Sequence, residues 1–184
     1  MTNKITRVYG DNSPINFVLR YRDSGAVDLS AFTTKITIEQ EDGTAIVTQA
    51  TTGLTLQPTQ TFTASATTDQ CTKYEHGLQN DDQVLLTTTT TLPAGLSTAT
   101  RYCVVNRNDL TFQLSDTPRG QPINITSTGT GTHSFAVVGS GQYLPQSTYA
   151  VGLYRVWIEL VGSTTAIIPE RAYGFEIEVV SKGN

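Results

Sequence analysis

The sequence predicts an all-β protein, a β-sandwich interrupted by a small β-barrel-like insert domain. Three observations predict it. Helical periodicity is nearly absent, while apolar and polar residues alternate over many short runs. Turn-forming clusters separate those runs at short intervals. Only 15% of the 184 residues are charged, against roughly 25% in ordinary soluble domains. The polar surface must therefore come from Thr, Ser, Asn and Gln, a composition that suits sheets better than helices.

The elements follow in chain order. In PINFVLR, Ile15, Phe17 and Leu19 fall on one face and Asn16, Val18 and Arg20 on the other. TKITIEQ repeats the pattern with Ile36 and Ile38. LYRVWIEL does so with Tyr154, Val156, Ile158 and Leu160. GFEIEVV sets Phe175, Ile177 and Val179 against Glu176 and Glu178. Each reads as a strand with one face to a core and one to solvent. Turn signals stand at DNSP (11–14), RDSG (22–25), EDG (41–43) and VGS (161–163). About five strands precede the middle of the chain and two or three follow it, the count of one immunoglobulin-like β-sandwich. The expected organisation is a sandwich in two parts, residues 1–60 and 139–184, with an insert at 61–138, since exposed loop tips tolerate insertions best.

The insert differs in character. It holds 18 of the 32 threonines, both cysteines and both histidines. The run Thr87–Thr91 resembles a low-complexity linker, but it follows DQVLL, and β-branched threonine suits a pleated strand. Leu92-Pro93-Ala94-Gly95-Leu96 then forces a turn, with Pro93 fixing φ and Gly95 permitting a positive one. RYCVVN and LTFQLS resume strands across the short NRND turn. The threonines are expected to be the polar end of a strand entering that turn.

Charge and composition exclude several function classes. Net charge is −4, and the 12 basic residues form no cluster of the kind that displaces counterions from nucleic acid. No signal-peptide core opens the chain and no apolar run is long enough to cross a bilayer. The expectation is no nucleic acid partner, no membrane, and synthesis in a cytosol, which the resemblance described below implies to be that of a host bacterium.

No catalytic, cofactor or metal site is expected. His76 and His133 would need a third ligand such as Cys71, Asp81 or Asp82 to hold a metal, and the simpler reading has each imidazole capping a turn or packing across a strand pair. Gly129-Thr130-Gly131-Thr132 precedes a strand, whereas a phosphate cradle opens a helix. Asn124-Ile125-Thr126 matches a glycosylation sequon, without a secretion signal to use it. Asp81-Asp82 and Glu41-Asp42 are adjacent pairs in turn-like sequence, not carboxylates opposed across a substrate. Cys71 and Cys103 fit no metal spacing. They read as two small buried hydrophobes or as one disulfide between neighbouring strands.

Two runs of landmarks carry a resemblance. His76-Gly77-Leu78, Asp82-Gln83-Val84, Leu92–Leu96, Tyr102-Cys103-Val104, Phe112–Ser115 and Gly129–His133 occur in order over about seventy residues. In this the insert resembles a small β module that recurs in bacteriophage tail and virion proteins. That module is similar in shape to the FCCH domain of ubiquitin-activating enzymes, without ubiquitin chemistry. Asp81 stands where the pattern usually has Gly, which implies a tighter or differently shaped turn. In the flanks, Gly10-Asp11, Pro14–Arg20, Asp28-Leu29, Ile36–Ile38 and Gly152–Leu160 resemble the immunoglobulin-like N-terminal domain of upper baseplate proteins. Together the resemblances imply a non-enzymatic, multicopy structural protein of a tailed-bacteriophage virion. Its place would be the tail, baseplate or fibre attachment, its partners other virion proteins and copies of itself.

A capsid decoration or head-to-tail connector protein is the rival within that class. A host-surface carbohydrate-binding module is the rival outside it, and the scattered aromatics do not support a host glycan partner. The expected contact centres on the lone tryptophan. Alternation puts Trp157 on the polar face of its strand, between Arg155 and Glu159, where a large aromatic is either covered by its own chain or meets a partner. The partner reading expects Trp157→Ala to leave the melting temperature of the monomer nearly unchanged.

Overall fold

A computed structural model describes residues 4–8, 10–20, 26–162 and 173–180, with residues 4, 5, 8 and 173–180 described by backbone alone. The fold is all-β and sandwich-like. Its only helical element among the described residues is the 3₁₀ turn Leu29–Ala31. The strands are β1 Lys4–Val8, β2 Ile15–Val18, β3 Phe32–Gln40, β4 Ala45–Ala50, β5 Leu54–Leu56, β6 Thr59–Ser65, β7 Gln70–Thr72, β8 Gln83–Thr88, β9 Arg101–Val105, β10 Thr111–Ser115, β11 His133–Val137, β12 Ser140–Tyr143, β13 Gly152–Gly162 and β14 Tyr173–Val180. The chain divides into two compact units, one of Met1–Phe17, Leu29–Leu56 and Gly141–Asn184, the other of Val18–Asp28 and Gln57–Ser140.

The first unit contains a five-stranded sheet in the order β1-β14-β13-β3-β4 and a three-stranded sheet in the order β2-β12-β5. β1 runs parallel to β14, and β13 lies antiparallel between β14 and β3. Alternation places Tyr154, Val156, Ile158 and Leu160 of β13 in the core, with Ile36 and Ile38 of β3 and Ile15 and Phe17 of β2. The Tyr149 and Tyr154 rings meet at 5.3 Å.

Two expectations change here. β3 is covered on both faces, since Thr37 and Glu39 are buried along with Ile36 and Ile38. It lies between β4 and β13, so its second face is shielded by neighbouring side chains. VGS is not a turn at its start, because Val161 and Gly162 continue β13 opposite Thr33 and Phe32. Ser163, the RDSG turn and the side-chain faces of GFEIEVV lie outside the described residues. EDG does turn, and Asp42 caps it by accepting from the Thr44 N–H at 2.8 Å. That bond holds the Asp42 carboxyl below its usual range.

The second unit is a closed barrel, β10-β7-β6-β11-β8-β9. Its core takes every second residue of each strand: Val84 and Leu86, Tyr102 and Val104, Phe112 and Leu114, Phe135 and Val137. Phe62, Phe112 and Phe135 meet at its centre with ring centroids 5.3–6.3 Å apart. Burying one such ring contributes about 1.5–3 kcal/mol. The threonine run splits as its chemistry suggests. Thr87 and Thr88 end β8, Thr89 and Thr90 bend, and Thr91 bridges to Thr130. In the following turn, Gly95 has φ +104, and a Cβ there would stand 2.5 Å from the Asn124 carbonyl. The turn is bound to the 123–127 segment through Thr126 N–H on Ala94 O and Ala94 N–H on Ser127 Oγ.

Residues 18–28 are part of this second unit. Arg20 bridges Ala26, the Val27 N–H donates to Leu19 O, and the Leu19 N–H donates to Gly139 O. Leu19, Ala26 and Val27 lie against Gly139, where a Cβ would come within 2.5 Å of Leu19 O. It is clamped at both ends, by Arg20 on Asp82 at 2.7 Å and by Arg101 on Asp28 at 2.6 Å.

Candidate interaction sites

Arg155, Trp157 and Glu159 occupy alternate positions on one face of β13, so the structure brings all three together. Arg155 is exposed, while Trp157 and Glu159 are half-buried. Opposite them on β3 stand Glu39, Thr37 and Lys35. The Trp157 Nε1–H donates to Glu39 Oε2 at 3.2 Å, and Thr37 Oγ1 donates to Glu159 Oε1 at 3.0 Å. Gln49 N–H donates to Thr37 Oγ1 at 3.1 Å, carrying the network onto β4 at an irregularity of the β3–β4 ladder. The tryptophan is thus engaged by its own chain through its polar edge. Sequence reasoning placed it on the right face and missed Thr37 and Glu39, because alternation alone does not disclose a strand buried on both sides.

Cys71 and Cys103 are free thiols. β10 separates their strands: Cys71 pairs with Phe112 and Cys103 with Ser115, on opposite edges of β10. Two strand spacings are about 9.6 Å, beyond the roughly 7 Å Cα limit of a disulfide. Cys71 belongs to the barrel core, whereas Cys103 alternates with the core residues Tyr102 and Val104. The disulfide expectation is therefore corrected, and the reading as buried hydrophobes stands. Burial pushes the Cys71 thiol up to about 12. Burial, and then the Asp81 carboxylate, raise that of Cys103.

His76 and His133 stand apart, each committed to its own partners. His76 lies in the loop between β7 and β8, not at a strand end. Its Nδ1 accepts from the Leu78 N–H at 3.0 Å, so Nε2 carries the proton donated to Asn108 O at 2.6 Å. His133 Nε2 faces Thr128 O at 3.0 Å and therefore donates, which leaves Nδ1 to accept from the Thr88 hydroxyl at 2.9 Å. Both rings also pack on core phenylalanines, His76 on Phe112 and His133 on Phe62. Both are buried. Asp81 and Asp82 diverge as well: Asp81 binds Arg119 while Asp82 is buried against Arg20.

The β6–β11 pair closes the barrel, but at one end of that pair the seam opens, a feature no sequence signal located. β11 pairs with β6 from Ala136↔Thr59 to His133↔Phe62 and no further. Beyond Phe62, β6 continues as Thr63–Ser65 with β7 on one side only. The chain before His133 instead follows β8, with Thr130 bonded to Thr91 and Thr132 to Thr89. Between these diverging segments lies an open cleft of about 550 Å³, walled by Thr61, Thr63 and Thr72 on one side and by residues 128–133 on the other.

Comparison with family models, with curated proteins and with solved structures finds no match in any of the three.

Proposed function

We propose that the chain is a non-enzymatic structural protein of a tailed-bacteriophage virion, a multicopy component of the tail, baseplate or fibre attachment. In this reading the first unit is an immunoglobulin-like body, and each unit offers surfaces to neighbours in the particle. One observation supports the proposal: the ordered landmarks by which the insert resembles the phage tail module fall on residues of the second unit. Asp82 is the buried carboxylate that binds Arg20. Leu92–Leu96 is the turn bound to residues 123–127. Phe112 and Leu114 are core, and Gly129–His133 forms one wall of the seam. Landmarks with structural duties of this kind suit a protein that works by shape.

Surface chemistry supports contacts in place of catalysis. Tyr74 and Leu110 are exposed large hydrophobics on loops joined by the Lys73 N–H on Leu110 O. Closed ring assemblies repeat one interface around an axis, which accounts for a multicopy role. Mass spectrometry of purified particles from the phage that encodes the chain tests the proposal. The protein should be present at a fixed copy number per particle. Abundant protein in infected cells with none in particles would end this reading.

A further inference from the structure

We propose that the open seam of the barrel is a strand-addition site, taking an uncharged, extended polypeptide segment from a partner chain between β6 and residues 129–131. The assignment does not depend on the virion reading.

Main-chain geometry comes first. In a strand, successive residues direct their N–H and C=O groups to opposite edges. Along Thr63–Ser65 only the β7 edge is paired, so the groups directed to the other edge open into the cleft. On the facing wall, Thr130 and Thr132 turn their N–H and C=O toward Thr91 and Thr89. Gly129 and Gly131 alternate with them and spend no peptide group in those bonds. The cleft thus lies between two lengths of main chain with hydrogen-bonding capacity to give. An added strand supplies donors and acceptors at that repeat, which is how sheet edges capture peptides. Gly129 and Gly131 have positive φ, and a Cβ on them would stand 2.5 Å from Thr91 O and from Thr89 Oγ1, so glycine keeps this wall seated against residues 89–91.

The lining then defines the segment. No Asp, Glu, Lys or Arg lines the cleft. His133, its one titratable member, has both ring nitrogens committed to Thr88 and Thr128. A charged side chain entering here would lose water and gain no counter-charge. The walls offer threonine hydroxyls, and Ala64 gives a small apolar floor. A neutral glycan fits less well. Phe62, the aromatic of the cleft other than His133, is 5% exposed and packs its ring on Phe112 and Phe135, so it offers no flat face to a sugar.

The test uses the full chain, labelled with ¹⁵N, and an N-acetylated, C-amidated hexapeptide of alternating Val and Thr. Titration should shift the amides of Thr63–Ser65 and residues 128–132 and slow their hydrogen exchange. N-methylation at alternate peptide residues should abolish binding in one of the two registers. Thr63→Lys and Thr130→Lys, both at exposed positions, should each weaken binding about tenfold or more with unchanged circular dichroism. Absence of shifts at millimolar peptide would overturn the proposal. So would binding indifferent to N-methylation in both registers, or shifts produced by maltotriose and not by peptide. The peptide arm on the unaltered chain decides the matter even where a lysine variant fails to fold.

Discussion

Arg20 and Asp82 stand 62 positions apart and meet in a two-pronged ion pair, Nε on Oδ1 and Nη2 on Oδ2, each at 2.7 Å. The carboxylate is fully buried and accepts a further bond from the Gln79 N–H at 2.8 Å. Arg20 closes the strand run Pro14–Arg20 and Asp82 opens Asp82-Gln83-Val84, so landmarks of the two resemblances meet in one contact. The planar guanidinium suits this bidentate geometry, which lysine does not reproduce.

Breaking the pair should be costly. Asp82→Ala leaves a guanidinium that is 25% exposed without its carboxylate, and the expected loss is about 3 kcal/mol, the low end for a broken buried pair. Arg20→Ala leaves the buried carboxylate unpaired and should cost at least as much. The double variant should lose less than the sum of the two. Denaturant unfolding of all three measures the coupling, and additivity within about 0.5 kcal/mol would show that the residues act independently.

Gly139→Ala tests how residues 18–28 are seated. The added methyl would stand 2.5 Å from Leu19 O and 2.8 Å from both Ala26 Cβ and Val27 O. Overpacking of this kind costs about 1–3 kcal/mol. The same relationship predicts that residues 57–140 produced alone melt lower than a version carrying 18–28. Deleting 61–138 would in turn leave the 18–28 segment without its support. Thermal melts of the two barrel fragments make the comparison, and equal melting temperatures would remove the segment from the unit.

The thiols should stay unreactive until the protein unfolds. At pH 8, a thiol reagent is expected to find neither cysteine in the native chain and both in denaturant, and mild oxidant should leave the mass unchanged. The Cys71 thiol is raised from its usual 9.0 to about 12 by burial, so the unfolded chain releases that proton first. Stability from this group is complete below pH 9 and is lost as pH rises toward 12. Tyr149, raised chiefly by burial, adds to the same decline from about pH 10 upward. Cys71→Ala should flatten the alkaline part of the stability profile. An unaltered slope in that variant would mean the loss comes from other groups.

Trp157 separates folding from assembly. Trp157→Phe removes the Nε1–H bond to Glu39 and should cost about 1 kcal/mol. Trp157→Ala also removes the ring beside buried Thr37 and Glu39, and about 2 kcal/mol is expected, less than the cost of truncating a fully buried tryptophan. This revises the expectation of an unchanged melting temperature. Arg155→Ala, at an exposed position, should leave stability within about 0.5 kcal/mol. Particle incorporation of that variant then reports on the contact alone: a defect supports a partner on this face, and full incorporation moves the interface elsewhere.

Alternation along single strands was sufficient to set faces. Ile15 and Phe17, the apolar set of β13 and the core residues of the barrel follow from a side-chain period of two, which any strand obeys wherever it lies in the fold. The threonine run, too, was legible as a strand end, since β-branched residues and a Pro-Gly turn act locally. Neighbours were decided only by the tertiary structure, because pairing depends on hydrogen bonds between residues far apart in sequence. β10 intervenes between Cys71 and Cys103, and nothing within either strand announces it. Trp157 and Glu39 meet because β13 lies beside β3. Arg20 reaches Asp82 because residues 18–28 fold onto the barrel, although alternation had assigned Leu19 and Arg20 to the strand of β2. The seam beside Thr63 exists because the chain before His133 bonds to β8 and leaves β6.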